Sequence, residues 1–414
     1  MTEATLDHHR SRLGGRDPDE THRAASPLEL LFDLTFVVAF SQASSQLAHF
    51  LAEGDVRVGL VGFGFAAFGV CWAWINYSWF ASAYDTDDWV CRLATMVQMV
   101  GVLILALGIP PVFRSLEQGG PIDNGVSVLG YVVMRLSMVF QWLRAAHDDP
   151  VRAPACRSYA ATISLAQVGW IGLALASTEP EVFFAAAAVL VLVEMVGPIK
   201  AETFKGGTPW HASHIAERYG LFTIITLGEA ILGTVAALSA VVESQGWSVD
   251  AALVGVAGTG LTFGLWWCYF LVPSGRVLAT HRERSFGWGY GHIPLFASIA
   301  ATGAGLHVAA LFIEHEAHIS ATATVVTVVG PVAVFTISLY AIYTALLRQA
   351  DPFHLGLLAA TAVILVAAVL LAEAGTDMAV CLLVVVLAPA VTVVGYETIG
   401  HRHLRTALER AEAR

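Results

Sequence analysis

Charged side chains are scarce in this chain of 414 residues: Asp, Glu, Lys and Arg together make up 13% of it. Soluble domains carry about 25%, so most of the surface lacks the ions that would keep it in water, and an ordinary soluble globular protein is excluded. Cysteine is scarce too. Cys71, Cys91, Cys156, Cys268 and Cys381 are an odd number without CxxC or CxxH spacing, which indicates neither a disulfide framework nor a zinc site. Positive charge is in deficit, with a net charge of -11 and a pI near 5.7, and this argues against a nucleic-acid partner. Motifs for nucleotides and nucleophiles are missing as well. No GxGxxG opens a helix after a strand, and there is no GxSxG, P-loop or HExxH. No cofactor is expected, and ATP-driven transport would need another subunit. Coiled-coil, collagen-like and soluble all-β classes are excluded by the same composition.

What the chain has is apolar runs. The hydrophobic fraction is 56% and the mean hydropathy +0.66. Runs of about 20 residues, the length that crosses a bilayer, fall at 30–52, 57–80, 91–110, 125–143, 158–176, 181–199, 215–240, 250–272, 288–313, 321–347, 353–372 and 378–397. The reading is an all-α membrane protein of about twelve transmembrane helices, with the lipid bilayer as its solvent. Residues 1–25 are polar, have no apolar core and read as a disordered cytoplasmic tail rather than a signal peptide. Residues 401–414 read as a second cytoplasmic tail.

Basic residues test that count independently. With twelve spans, the two tails and the even-numbered loops share one side, and they hold nineteen of the 22 Lys and Arg residues. Arg57 and Arg114 alone fall opposite, and Arg135 lies inside a span. This bias predicts that both termini are cytoplasmic.

The two halves resemble each other. Glu29-Leu-Leu-Phe-Asp33 opens span one and Glu217-Arg-Tyr-Gly-Leu221 opens span seven. Phe68-Gly-Val-Cys-Trp72-Ala-Trp74 in span two matches Phe263-Gly-Leu-Trp-Trp267-Cys-Tyr269 in span eight. Six spans separate the paired elements, which predicts a 6+6 parallel repeat of residues 26–204 and 212–400, an arrangement used by secondary transporters. Lys205-Gly-Gly-Thr-Pro-Trp210 reads as the linker.

Several stretches together resemble the bacterial low temperature requirement A family. They are Glu29-Leu-Leu-Phe-Asp33-Leu-Thr-Phe36, Asn76-Tyr77-Ser78-Trp79-Phe80 with Tyr84-Asp85-Thr86-Asp87-Asp88, Glu217-Arg218-Tyr219-Gly220 through Gly228-Glu229, and Tyr290-Gly-His292. The resemblance runs from about residue 26 to 400, and Ser78 stands where the family pattern suggests Thr. It implies a polytopic inner-membrane protein with a role in growth in the cold. It brings no settled substrate, reaction or cofactor.

Ionisable groups at bilayer depth cost at least about 2.5–3.5 kcal/mol each, so they face the protein interior and find partners. Arg135 is nine residues from Arg144 in span four, and Glu229 is eleven from Arg218 in span seven. At about 1.5 Å per residue both lie roughly 14–17 Å deep, with opposite charges, and they are expected in one polar cluster joined by His307 or Glu194. Either a fixed ion pair or a substrate or proton site would account for them. Arg218 projects from the same helix face as Glu229, with Glu217 beside it, and Glu194 in span six could meet Arg218. Glu29 and Asp33 share a face at the start of span one, where capping and ligand binding are equally open readings. Gln42, Gln46 and His49 form a stripe that could join helices. His292 and His307 read as hydrogen-bonded core residues rather than metal ligands. Asp85, Asp87 and Asp88 are weak Mg²⁺ candidates, better read as solvated or salt-bridged. Trp72, Trp74, Tyr77 and Trp79 read mainly as interfacial anchors.

The expectation is a secondary transporter of an unknown small molecule or ion, with proton coupling as one version. The alternatives are a membrane-embedded enzyme acting on lipid or isoprenoid, and a structural or accessory membrane protein.

Overall fold

The computed structural model describes residues 11–412, apart from 19, 21, 22, 205 and 350. Lys205 of the expected linker and Arg10 of the tail therefore lie outside the described residues. Fourteen α-helices account for nearly all of the described chain, and no strand occurs among the described residues. They are α1 (Pro27–Ala52), α2 (Val56–Tyr84), α3 (Trp89–Gln118), α4 (Gly125–Asp148), α5 (Ala153–Ala176), α6 (Pro180–Glu202), α7 (Ala212–Gln245), α8 (Val249–Phe270), α9 (Ser274–Thr280), α10 (Ser285–Ile313), α11 (Ala321–Leu347), α12 (Pro352–Glu373), α13 (Met378–Gly395) and α14 (His401–Glu412). Among the described residues, twelve stretches are long and apolar enough to cross a membrane. Spans one to seven are α1–α7, span eight is α8 with α9, and α10–α13 supply spans nine to twelve.

Hydropathy finds these spans because lipid leaves each backbone amide no partner outside its own helix. Span three differs from expectation: it runs on through Pro110 and Pro111 to Gln118 instead of stopping at 110. The two prolines remove amide donors without forcing an end, as neighbouring helices tolerate in membranes. The helix stops at Gly119, whose left-handed φ of 67° turns the chain.

The contacts divide the chain into two compact units. One holds the chain up to Ala39 and Trp72–Ile215; the other holds Phe40–Cys71 and the chain from Ala216 onward. By contacts, residues 40–71 group with the second unit.

In the first unit α3 packs on α4, α4 on α5 and α5 on α6. Gly101 and Gly130 let α3 and α4 touch: a Cβ on Gly130 would lie 2.6 Å from the Gly101 carbonyl oxygen. Residues 11–18, read from composition as part of a disordered tail, are tied down here. The Ser11 amide donates to Asp88 (3.1 Å), the Leu13 amide to Asp148 (2.9 Å) and the Arg16 amide to the Ala83 carbonyl (3.0 Å).

In the second unit α10 packs on α11, α11 on α12, α12 on α13 and α13 on α8. Its small-residue core includes Ala237, Ala240, Ala251, Val254 and Ala379. Residues 401–412, read as a tail, form α14.

Candidate functional site

Glu229 sits midway along α7, buried, in the second unit. With Ser41, Ser44 and Ser45 of α1 and His307 of α10, its side chain lines a cavity of about 160 Å³. Its Oε1 has no hydrogen-bond partner among the described residues. The wall behind it is backbone. A Cβ on Gly303 of α10 would lie 2.3 Å from the Glu229 carbonyl oxygen, and one on Gly233 would lie 2.3 Å from the Gly303 carbonyl oxygen. Only glycine permits so close an approach. A carboxylate, three hydroxyls and an imidazole around one small space can hold a proton or a small cation.

Arg135 is not in that cluster. In the first unit its guanidinium meets Glu194 of α6 at 2.9 Å, with side-chain exposures of 5% and 3%. Trp72 donates its indole N–H to the same carboxylate oxygen at 2.8 Å. Arg135 also donates to Asn76 (3.3 Å) and lies 5.3 Å from the centre of the Tyr131 ring. The expected pairing of Arg135 with Glu229 is thus replaced by Arg135 with Glu194, because matching depth says nothing about which helices are neighbours. The exposure figures make this a dry pair.

The start of α1 carries both a cap and a pair. The Ser26 hydroxyl accepts from the Glu29 amide (3.2 Å) while Glu29 accepts from the Ser26 amide (2.8 Å), a capping box. Glu29 also meets His214 at 3.3 Å. Asp33 is fully buried and accepts from the Trp74 indole at 2.8 Å. Trp72 and Trp74 are therefore not interfacial anchors: they are 1% and 0% exposed and hold carboxylates. Nearby, Arg23 donates to the carbonyls of Ala81 and Ser82. Burial, with Arg16 close by, lowers its pKa to about 10.

The Asp85–Asp88 loop is already committed. Asp87 pairs with Arg92 at 2.9 Å. Asp88 caps α3 through the Cys91 amide (2.8 Å) and pairs with Arg144. Burial works against its charge, but the bonds from Arg144 and the Cys91 amide outweigh burial and hold the carboxyl below the usual range. Burial and the neighbouring Glu29 push Asp85 the other way. Among the described residues no three His, Cys, Asp or Glu side chains are grouped to hold a metal.

The remaining candidates are dispersed. Arg218 is fully buried on α7, whereas Glu217 is exposed. His292 contacts the Trp288 carbonyl oxygen (2.7 Å) and the Tyr269 hydroxyl (3.1 Å), packed against the Tyr219 ring. Gln42 and His49 are exposed, so their stripe does not serve the polar interior.

Residues 24–389 match the family described as Bacterial low temperature requirement A protein (LtrA). The chain belongs to that family. It is also similar to an uncharacterized protein, RA0937, of Rhizobium meliloti (strain 1021), with 25% identity over 316 residues that cover 72% of each chain. No solved structure matches. Within this LtrA-family chain, sequence reasoning passed over Ser41, Ser44 and Ser45. Their signal was present, since positions i, i+3 and i+4 share a helix face, but nothing in the local sequence sets them apart from the Gln42, Gln46 and His49 stripe beside them.

Proposed function

We propose that this LtrA-family protein is a secondary transporter of a small solute, coupled to protons through Glu229. The observation that carries this reading is the cavity at Glu229: an intramembrane carboxylate beside open space, three hydroxyls and His307. Such groups cost too much to be retained in lipid without use. A sealed pair would argue for structure alone, and Arg135–Glu194 is of that kind; it supports the accessory reading for the first unit. The enzyme reading has less behind it, because Asp87 and Asp88 are neutralised by Arg92 and Arg144.

A 6+6 repeat fits alternating access. Trp72 and Trp267 hold matching positions of the repeated motif, and each donates its indole to a glutamate, on α6 in the first half and just beyond α13 in the second. The acceptors are Glu194 at 2.8 Å and Glu397 at 3.2 Å. Inner-membrane placement with cytoplasmic termini rests on the basic-residue bias, and the part in cold growth rests on the family's name.

Purified protein in liposomes containing a pH dye tests the reading. Amino acids, sugars, organic acids and amines are added in turn, with and without a pH gradient. One class should move protons together with solute, and Glu229→Gln should abolish the coupled flux while keeping the fold, since the amide keeps the shape but cannot ionise. Wild-type flux that is unchanged in Glu229→Gln would overturn the assignment.

A further inference from the structure

Far along the chain from the charges discussed above, a cavity of about 490 Å³ opens in the second unit. It is walled by Leu347 at the end of α11, Asp351 and His354 at the start of α12, Tyr396 just beyond α13, and Arg402 and His403 of α14. Three membrane-crossing helices begin or end here. The cavity therefore lies at the level where a bilayer changes from hydrocarbon to headgroups.

The helix beside it suits that level. Leu408 is buried and Leu404, four residues before it, is half-buried against the cavity, while Arg402 and Arg405 are exposed. The helix α14 continues the twelfth span through the turn at 396–400, so Arg402 and Arg405 emerge directly at headgroup level, where juxtamembrane basic residues attract anionic lipid. The one carboxylate in the cavity wall is engaged. Asp351 caps α12 through the Phe353 amide (2.9 Å) and meets His403 at 3.2 Å. His354, 8% exposed, contacts the Tyr396 hydroxyl at 2.5 Å and has an Nδ1 with no hydrogen-bond partner among the described residues. No ion pair joins Arg402 to an acid among the described residues. The cavity wall thus offers a guanidinium, imidazoles and the Gln349 amide. That donor set suits a phosphate.

We propose that this cavity binds the phosphate headgroup of an anionic phospholipid, with Arg402 and His403 as anchors. Its volume falls within the roughly 300–1,000 Å³ of organic-ligand sites, far more than a bare phosphate fills, and its level in the membrane supplies lipid rather than a free ion.

Native mass spectrometry of the full-length protein in detergent tests this, with added dioleoyl-phosphatidylglycerol, dioleoyl-phosphatidylcholine or inorganic phosphate. Wild type should retain one phosphatidylglycerol through conditions that strip phosphatidylcholine. The Arg402→Gln/His403→Gln variant should hold it roughly tenfold or more weakly. Arg405→Gln, which alters α14 outside the cavity wall, should bind like wild type, and equal melting temperatures would establish that all variants are folded. Equal retention of both lipids, or a loss in Arg405→Gln matching that of the double variant, would mean diffuse attraction and overturn the site. Binding of inorganic phosphate without selection between the lipids would also overturn the lipid assignment.

Discussion

Arg135 on α4 and Glu194 on α6 form a 2.9 Å ion pair whose second acceptor bond is supplied by the Trp72 indole. Breaking such a pair leaves one charge buried without compensation. Arg135→Met alone should therefore cost about 3–5 kcal/mol, read as a large fall in melting temperature. Arg135→Met with Glu194→Leu should recover part of that loss, because a buried pair replaced by apolar residues of similar volume is often near neutral. The Trp72 indole then loses its acceptor, at a cost of about 1–3 kcal/mol. A double variant as unstable as the single one would show that the pair does more than neutralise itself.

Gly303 should tolerate no side chain. Its Cβ would meet the Glu229 carbonyl oxygen at 2.3 Å, so Gly303→Ala must separate α7 from α10 and should cost about 1–3 kcal/mol. Gly64→Ala on α2, where a Cβ meets nothing within 4 Å, should be neutral or gain up to about 1 kcal/mol from helix propensity. Melting curves of the two variants side by side give the comparison.

Asp88 sets a pH dependence. Its pKa is lower in the folded chain than in the unfolded one, so its contribution is complete above the ordinary carboxylate value of about 4 and is lost as pH falls through the folded value. Asp88→Asn keeps a side chain able to cap α3 but loses the charge facing Arg144. It should be about 1.5–3 kcal/mol less stable at pH 7, and the difference from wild type should shrink on acidification below pH 4. Thermal melts between pH 3 and pH 7 measure both effects.

Ser26→Ala should cost about 1 kcal/mol, since it removes the hydroxyl that accepts from the Glu29 amide. Its effect should be independent of pH across the range in which Glu29 is ionised, and this separates it from the Asp88 variant.

Topology has its own test. An even number of spans would put residues 11 and 412 on one side, and the basic bias predicts that this side is the cytoplasm. Reporter fusions at residue 11 and after residue 412 should both signal cytoplasmic exposure. A split result would mean that one of the twelve spans does not cross.

The number of spans and most of their limits were legible in hydropathy alone, because a helix in lipid must satisfy its own backbone and hide it in about 20 apolar residues. A capping role for Glu29 was open to reading for a similar reason, since it depends on position at a helix start, but its partner Ser26 was passed over. Partners across helices were not legible. Arg135, Glu194 and Glu229 are all acceptable at mid-membrane depth, and counting residues gives height but no azimuth around the bundle. Close packing at Gly101 and Gly130 brings α3 against α4, and at Gly303 brings α10 against α7, and neither approach is written in the hydropathy. Trp72 and Trp74 passed for interfacial anchors on composition, and only their burial against Glu194 and Asp33 shows them to be hydrogen-bond donors. The space beside Glu229 is likewise a property of the packed helices, since no local sequence rule makes three serines on α1 and His307 on α10 face one carboxylate.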